Sequence, residues 1–253
     1  MKKTLFPLIL ISLLFFQCSK DVGSAFSTSN GGPQTTGQGG SLARFAILGN
    51  YLYSVDEQQL KVFDINNAAD PILKKTVDIG FAIETIFPFK DKLFIGSTSQ
   101  VYIYSITDPE NPQKLGTAIS PQVLRRCDPV VAKDTVAFAT LRTNGPCGGT
   151  QSILAVYDIK DVTNPVQKVT YPVSEPYGLG YSNDVLYVCD KFLGLVVLDI
   201  SKPYQPGLIK AIKDGFYIDV IPYQNTLICW VTTGIILYDI SNNRNPVLLA
   251  KII

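Results

Sequence analysis

Histidine is absent from all 253 residues, and with it go the commonest general base and the commonest metal ligand. A Ser-His-Asp triad, a Cys-His pair and a His-ligated zinc site are therefore excluded. Charge is scarce and balanced, with 22 basic against 21 acidic residues and only 17% charged overall. Such a chain sets up no broad field toward a polyanion, so no nucleic-acid partner is expected. The sequence holds no phosphate loop, no Cys-x-x-Cys pair, no calcium-loop pattern and no basic helix, and we expect neither a cofactor nor a metal. From Ser41 onward no long stretch has a helical period, which removes helical bundles and α/β folds.

What the chain has instead is a repeat. Phe63 to Pro71 reads FDINNAADP, Tyr104 to Pro112 YSITDPENP, Tyr157 to Pro165 YDIKDVTNP, Leu198 to Pro206 LDISKPYQP and Tyr238 to Pro246 YDISNNRNP. The anchors Asp64, Ser105, Asp158, Asp199 and Asp239 are 41, 53, 41 and 40 residues apart. A period near 40 marks a repeat architecture. Within each unit, four short apolar runs are separated by turn residues; in the second these are Ile83 to Phe89, Lys92 to Gly96, Val101 to Ile106 and Lys114 to Ile119. We denote these strands A to D. Four antiparallel strands per repeat are what a propeller blade requires. The expected fold is all-β: a single five-bladed β-propeller of four-stranded antiparallel blades over residues 41–253. All five units run A, B, C, D, so closure of the ring would rest on packing of blade 5 against blade 1, with a partner chain as a further contributor to weigh. The repeated Asp and Pro are expected to set the C–D turn: Asp, Asn and Ser bond their own backbone, and Pro blocks continuation of the ladder.

The units KLFIGSTSQVYIYSITDPENP (residues 92–112) and LYVCDKFLGLVVLDISKPYQP (residues 186–206) resemble the LVIVD repeat of bacterial cell-surface and secreted propellers. The resemblance extends over all five units. An Asp common at the end of strand B is kept as Asp56 and Asp190 only. The resemblance implies the fold and an envelope address, and little about activity.

The N-terminus reads as an export signal. Lys2 and Lys3 precede an apolar run from Leu5 to Phe16, too short to span a bilayer, and the run ends at Cys18. This resembles a bacterial lipoprotein signal: residues 1–17 are removed and Cys18 carries the lipid, which makes the membrane a partner. Phe16 and Gln17 are larger than the residues usual before such a cysteine, and plain secretion is the competing reading. Residues 18–40 are rich in Gly, Ser, Thr, Asn and Gln and are expected to be a flexible linker. The expected address is the cell envelope, at the outer membrane.

In a propeller the D–A connections and B–C turns share one face, around the channel. That face would carry Arg44, Arg125, Arg126, Tyr177, Phe216, Tyr217 and Trp230 as ligand-binding residues, with Phe81 and Glu175 beside them. It suits an envelope protein or a glycan. Repeat three carries an insertion, Leu141 to Gln151, in its B–C turn. Cys127 and Cys147 would share its face and either bridge or stay free. Cys189 and Cys229, within B strands, read as small buried residues. A catalytic reading stands beside the binding one: Glu84, Asp128 and Asp219 near the starts of three A strands form a carboxylate trio of the kind glycoside hydrolysis uses. Against it, position-equivalent polar residues in repeats usually serve the repeat.

Overall fold

The computed structural model describes residues 39–120, 129–142 and 152–252. Within them the chain is all strand. Blade 1 consists of β1 (Phe45–Leu48), β2 (Tyr51–Val55), β3 (Gln59–Asp64) and β4 (Ile72–Asp78). Blade 2 consists of β5 (Ile83–Phe89), β6 (Lys92–Ser97), β7 (Val101–Ser105) and β8 (Gln113–Ala118). Blade 3 consists of β9 (Val130–Lys133), β10 (Val136–Leu141), β11 (Ile153–Asp158) and β12 (Val166–Pro172). Blade 4 consists of β13 (Pro176–Ser182), β14 (Val185–Asp190), β15 (Gly194–Asp199) and β16 (Gly207–Ile212). Blade 5 consists of β17 (Tyr217–Tyr223), β18 (Thr226–Val231), β19 (Gly234–Asp239) and β20 (Val247–Ile252). Each blade is a four-stranded antiparallel meander in sequence order.

The repeated turn does what its composition predicts. The anchor side chain accepts from the backbone N–H two residues on in every blade, at Asn66, Thr107, Lys160, Ser201 and Ser241. A backbone bond then closes the turn, as from Asn111 N to Asp108 O and from Asn245 N to Asn242 O. These are local bonds, so the motif specifies its own conformation. The end of strand B organises the next turn in the same way. Asp56 accepts from Gln58 N and Gln59 N, Ser97 from Ser99 N and Gln100 N, and Asp190 from Phe192 N and Leu193 N.

Register makes positions comparable between blades. Tyr51, Lys92, Val136, Val185 and Thr226 each pair with their blade's anchor. Counting from there, Tyr53, Phe94, Phe138 and Tyr187 face forward, each buried against the following blade. Leu93, Ala137, Leu186 and Leu227 face backward, each buried against the preceding blade. Strands with both faces covered read as continuous apolar runs, which is why β7, β11 and β15 show no polar alternation. The turns of blades 2 and 5 also clamp the blade before. The Tyr53 hydroxyl donates to Pro109 O (2.9 Å), that of Tyr187 to Asn243 O (2.7 Å), and the Arg244 guanidinium to Asp199.

The junction between blades 5 and 1 is different. Four buried apolar clusters join blades 1 to 2, 2 to 3, 3 to 4 and 4 to 5. None among the described residues joins blade 5 to blade 1. The connection is polar and lies at the channel. Ser41 Oγ donates to Asp219 Oδ1 (3.1 Å) and accepts from Leu179 N (2.7 Å), while Leu42 N donates to Asp219 Oδ2 (3.2 Å). The linker expected to run to Gly40 thus ends sooner. Gly40 is buried, and a Cβ there would meet Asp219 Oδ2 at 2.0 Å. Glycine is needed at this position for close approach rather than for flexibility.

Candidate functional site at the channel mouth

Strand A enters three blades through a β-bulge. In blade 2 the register moves between Ile83 and Thr85, in blade 4 between Pro176 and Leu179, and in blade 5 between Tyr217 and Asp219. The extra residue is turned out of the ladder, a common device for aiming a side chain at a site. Thr85 and Asp219 face Gly96 and Trp230, which are equivalent positions of strand B. Glu84, Tyr177 and Ile218 are accordingly the half-buried bulge residues, while Thr85, Gly178 and Asp219 are buried beside them.

This divides the expected carboxylate trio. Glu84 and Asp219 are one position out of step, and in a strand one residue reverses the face. Glu84 stands at the mouth. Burial pushes its carboxyl above the ordinary value, and Arg142 and Arg44 pull it back. Asp219 is turned inward and 8% exposed. Besides the bonds to Ser41 and Leu42, its Oδ1 accepts from Val220 N (2.9 Å). Burial raises its pKa to about 6 against the opposing effect of these donors. Gly178 leaves it room from the other side, since a Cβ there would come within 2.0 Å of Asp219 Oδ1. Asp128 lies outside the described residues, as do Arg125, Arg126, Cys127, Cys147 and Cys18.

Around Glu84 the mouth draws one group from each blade. Arg44 of blade 1 donates from its guanidinium to Ile83 O (2.7 Å), which fixes it over the entry to blade 2. Arg142, the residue after β10 in blade 3, places its guanidinium 4.2 Å from the centroid of the Tyr177 ring of blade 4. Tyr177 in turn meets Phe216, which precedes β17 of blade 5, edge to face at 5.2 Å. The Nε of Arg142 is buried and has no hydrogen-bond partner among the described residues. Beside this chain, Lys191 pairs with Glu175 (3.1 Å), and the Tyr177 hydroxyl donates to the same carboxylate (3.3 Å). A cavity of about 350 Å³ opens between blades 1 and 2, lined by Arg44, Glu57, Gln58, Phe81, Ile83 and Glu84. Guanidinium groups stacked on aromatic faces, next to a cavity with acidic and amide walls, can hold a sugar ring or a planar polar group by stacking and forked hydrogen bonds.

Two expected binding residues are placed elsewhere. Tyr217 is fully buried, its hydroxyl bonded to Asp214 and Tyr238, so it belongs to the core between blades 4 and 5. The bulge puts its ring on the inward side of the strand. Trp230 is 52% exposed but stands on the forward face of blade 5, at the position equivalent to Cys189 of blade 4. Cys189 and Cys229 are buried free thiols, and burial pushes both above the ordinary value, which leaves them unreactive. Arg142 did not stand out among the candidates because it adjoins the insertion and has no counterpart in the repeat; its place at the end of strand B was the available signal. No cluster of metal-ligating side chains occurs among the described residues.

The family model for the LVIVD repeat matches residues 39–79 and 181–214. No curated protein matches the chain. Among solved structures, a functionally unknown protein from Desulfotomaculum acetoxidans superposes with a TM-score of 0.64 at 8% identity, covering 79% of this chain and 65% of that one. A protein from Lactobacillus plantarum gives 0.64 at 16% identity over 79% of this chain and 67% of that one. The periplasmic gluconolactonase of Pseudomonas aeruginosa gives 0.59 at 13% identity over 80% and 67%. The chain thus spans about two thirds of the length of each of these structures, and at such identities the likeness concerns the fold. The two repeat matches and the five four-stranded blades together show a β-propeller fold that carries LVIVD repeats.

Proposed function

We propose that this protein is a recognition propeller of the cell envelope, anchored in the outer membrane through a lipid on Cys18, which binds a protein or glycan partner at its channel mouth. The observation that carries the reading is the run Arg44, Glu84, Arg142, Tyr177 and Phe216, one group from each blade, beside an open cavity. Such a mouth offers stacking surfaces, two guanidinium forks and the carboxyl of Glu84, whose pKa burial raises. The carboxylate nearest to it in the repeat, Asp219, is committed to holding Ser41 and Leu42. Paired-carboxylate hydrolysis needs a second acid facing Glu84, and Asp219 does not supply it; this supports binding as the reading of this geometry. The envelope address is supported by the basic start, the short apolar run and Cys18.

The test is an array of glycans and envelope-protein peptides probed with the protein and with its Arg142→Ala and Tyr177→Ala variants. Retention of a ligand that drops about tenfold or more in both variants supports the mouth as the site, since one stacked cation contributes about 1 to 2 kcal/mol. Retention unchanged in both refutes it.

A further inference from the structure

The four internal blade junctions are built from the same two surfaces. The forward surface of one blade is apolar: Tyr53 and Val55 with Leu60 and Val62 in blade 1, Tyr187 and Cys189 with Leu195 and Val197 in blade 4, all buried. The following blade covers it with a backward surface and a C–D turn. The turns of blades 2 and 5 make hydrogen bonds to the tyrosines of the blade before. The isoleucine after the anchor is buried in blades 2 to 5, at Ile106, Ile159, Ile200 and Ile240.

Blades 5 and 1 each present half of this arrangement without the other. The forward positions of blade 5 are Ile228, Trp230, Ile235 and Leu237; three are half-buried and Trp230 is 52% exposed. Ile252, paired with Ile235, extends the same face and is 60% exposed. On blade 1 the backward positions Leu52 and Phe63 are only partly buried, and so is Ile65, which follows its anchor. Residues 66–71, the C–D turn of blade 1, are exposed throughout and hydrogen-bonded only within their own blade among the described residues.

We propose that a second copy of this chain supplies the missing half, blade 1 of one copy docking its backward face and its Asn66 to Pro71 turn onto the forward face of blade 5 of the other. The argument is continuity with the interface the chain already makes between its own blades. An apolar sheet face with an empty seat for an Asp-Ile turn is matched by a surface that carries that turn, and this chain exposes one. Among the described residues its own blade 1 does not fill the seat, because Trp230, Ile252 and the turn 66–71 stay exposed. Ser54 and Lys61 stand on the backward face of blade 1 where the other blades have apolar residues such as Ile95 and Tyr102. They keep the face wettable before docking and make the association reversible. Four strands at about 4.8 Å spacing and six residues long present roughly 400 Å². A pair closed head to tail has two such junctions and buries about 1,600 Å² in all, the size of a stable interface.

The experiment is sedimentation of the full-length chain in mild detergent from about 1 to 100 μM, beside Ile235→Asp, Phe63→Asp and, as a control, Leu248→Asp. Leu248 pairs with Tyr238, whose side chain points to blade 4, so the control stands on the opposite face of blade 5. Ile235 and Phe63 are only partly buried and Leu248 is exposed, so circular dichroism should show folded variants. The expected result is concentration-dependent association by the parent and the control, weakened at least about 100-fold in Ile235→Asp and in Phe63→Asp. An equimolar mixture of those two variants should recover one intact junction and associate more strongly than either alone. A parent that is monomeric throughout overturns the proposal. So does association that survives Phe63→Asp, which would mean that blade 1 is not the occupant.

Discussion

Asp219 gives a stability prediction whose sign follows from its burial. Its carboxyl has a folded pKa of about 6 against about 3.9 in an unfolded chain. The folded state therefore holds this proton to higher pH than the unfolded state does. The stabilisation that results is complete below about pH 4 and is lost as the pH rises through 6. A difference of roughly two units corresponds to about 3 kcal/mol. Asp219→Asn does not titrate, and its amide NH2 must face one of the two donors, Leu42 N–H or Val220 N–H, that the carboxylate oxygens accept from, a pH-independent cost of about 1 to 3 kcal/mol. At pH 4 the variant should be clearly less stable than the parent. Near pH 7 the parent has lost its advantage, and the difference should shrink by about 3 kcal/mol or change sign. Urea unfolding followed by far-UV circular dichroism at pH 4, 5, 6 and 7 measures this. Other carboxylates, such as Asp56 with its pKa lowered to about 2, titrate in both proteins and cancel in the difference. A gap between parent and variant that stays constant from pH 4 to pH 7 would refute the reasoning.

Gly178→Ala should destabilise by about 1 to 3 kcal/mol or more, because the added methyl meets both the carboxylate and the backbone of Asp219; thermal unfolding reads this directly. Tyr187→Phe removes the donor to Asn243 O and should cost about 0.5 to 1.5 kcal/mol in urea unfolding, with no loss of ligand binding, since the bond lies at the turn face away from the mouth. Cys18→Ser should move the protein from the detergent phase to the aqueous phase on partitioning, and the intact mass should lose its acyl chains; retention of both would disprove the lipid anchor.

The parts of this molecule legible in the sequence are those set by local chemistry. Asp64, Asp158, Asp199 and Asp239 each bond the backbone two residues on, so the turn motif carried its structure openly, and its spacing fixed the blade count. What could not be read is what a one-residue offset decides. The bulges at Glu84 and Ile218 put residues that look equivalent in the chain on opposite sides of the strand, which separated Glu84 from Asp219 and buried Tyr217. Gly40 reads as linker by composition, yet it is glycine because Asp219 approaches it closely. Arg142 gained meaning only when the fold brought Tyr177 beneath it.

The central claim is that the channel mouth binds and does not hydrolyse. The most direct measurement is a time course of the protein with the glycan it retains, quantifying free ligand and new reducing ends, beside Glu84→Gln and Arg142→Ala. The account predicts saturable binding that falls in Arg142→Ala, and no new reducing ends in any of the three. Reducing ends that accumulate with the parent and vanish with Glu84→Gln would contradict it and make Glu84 a catalytic acid.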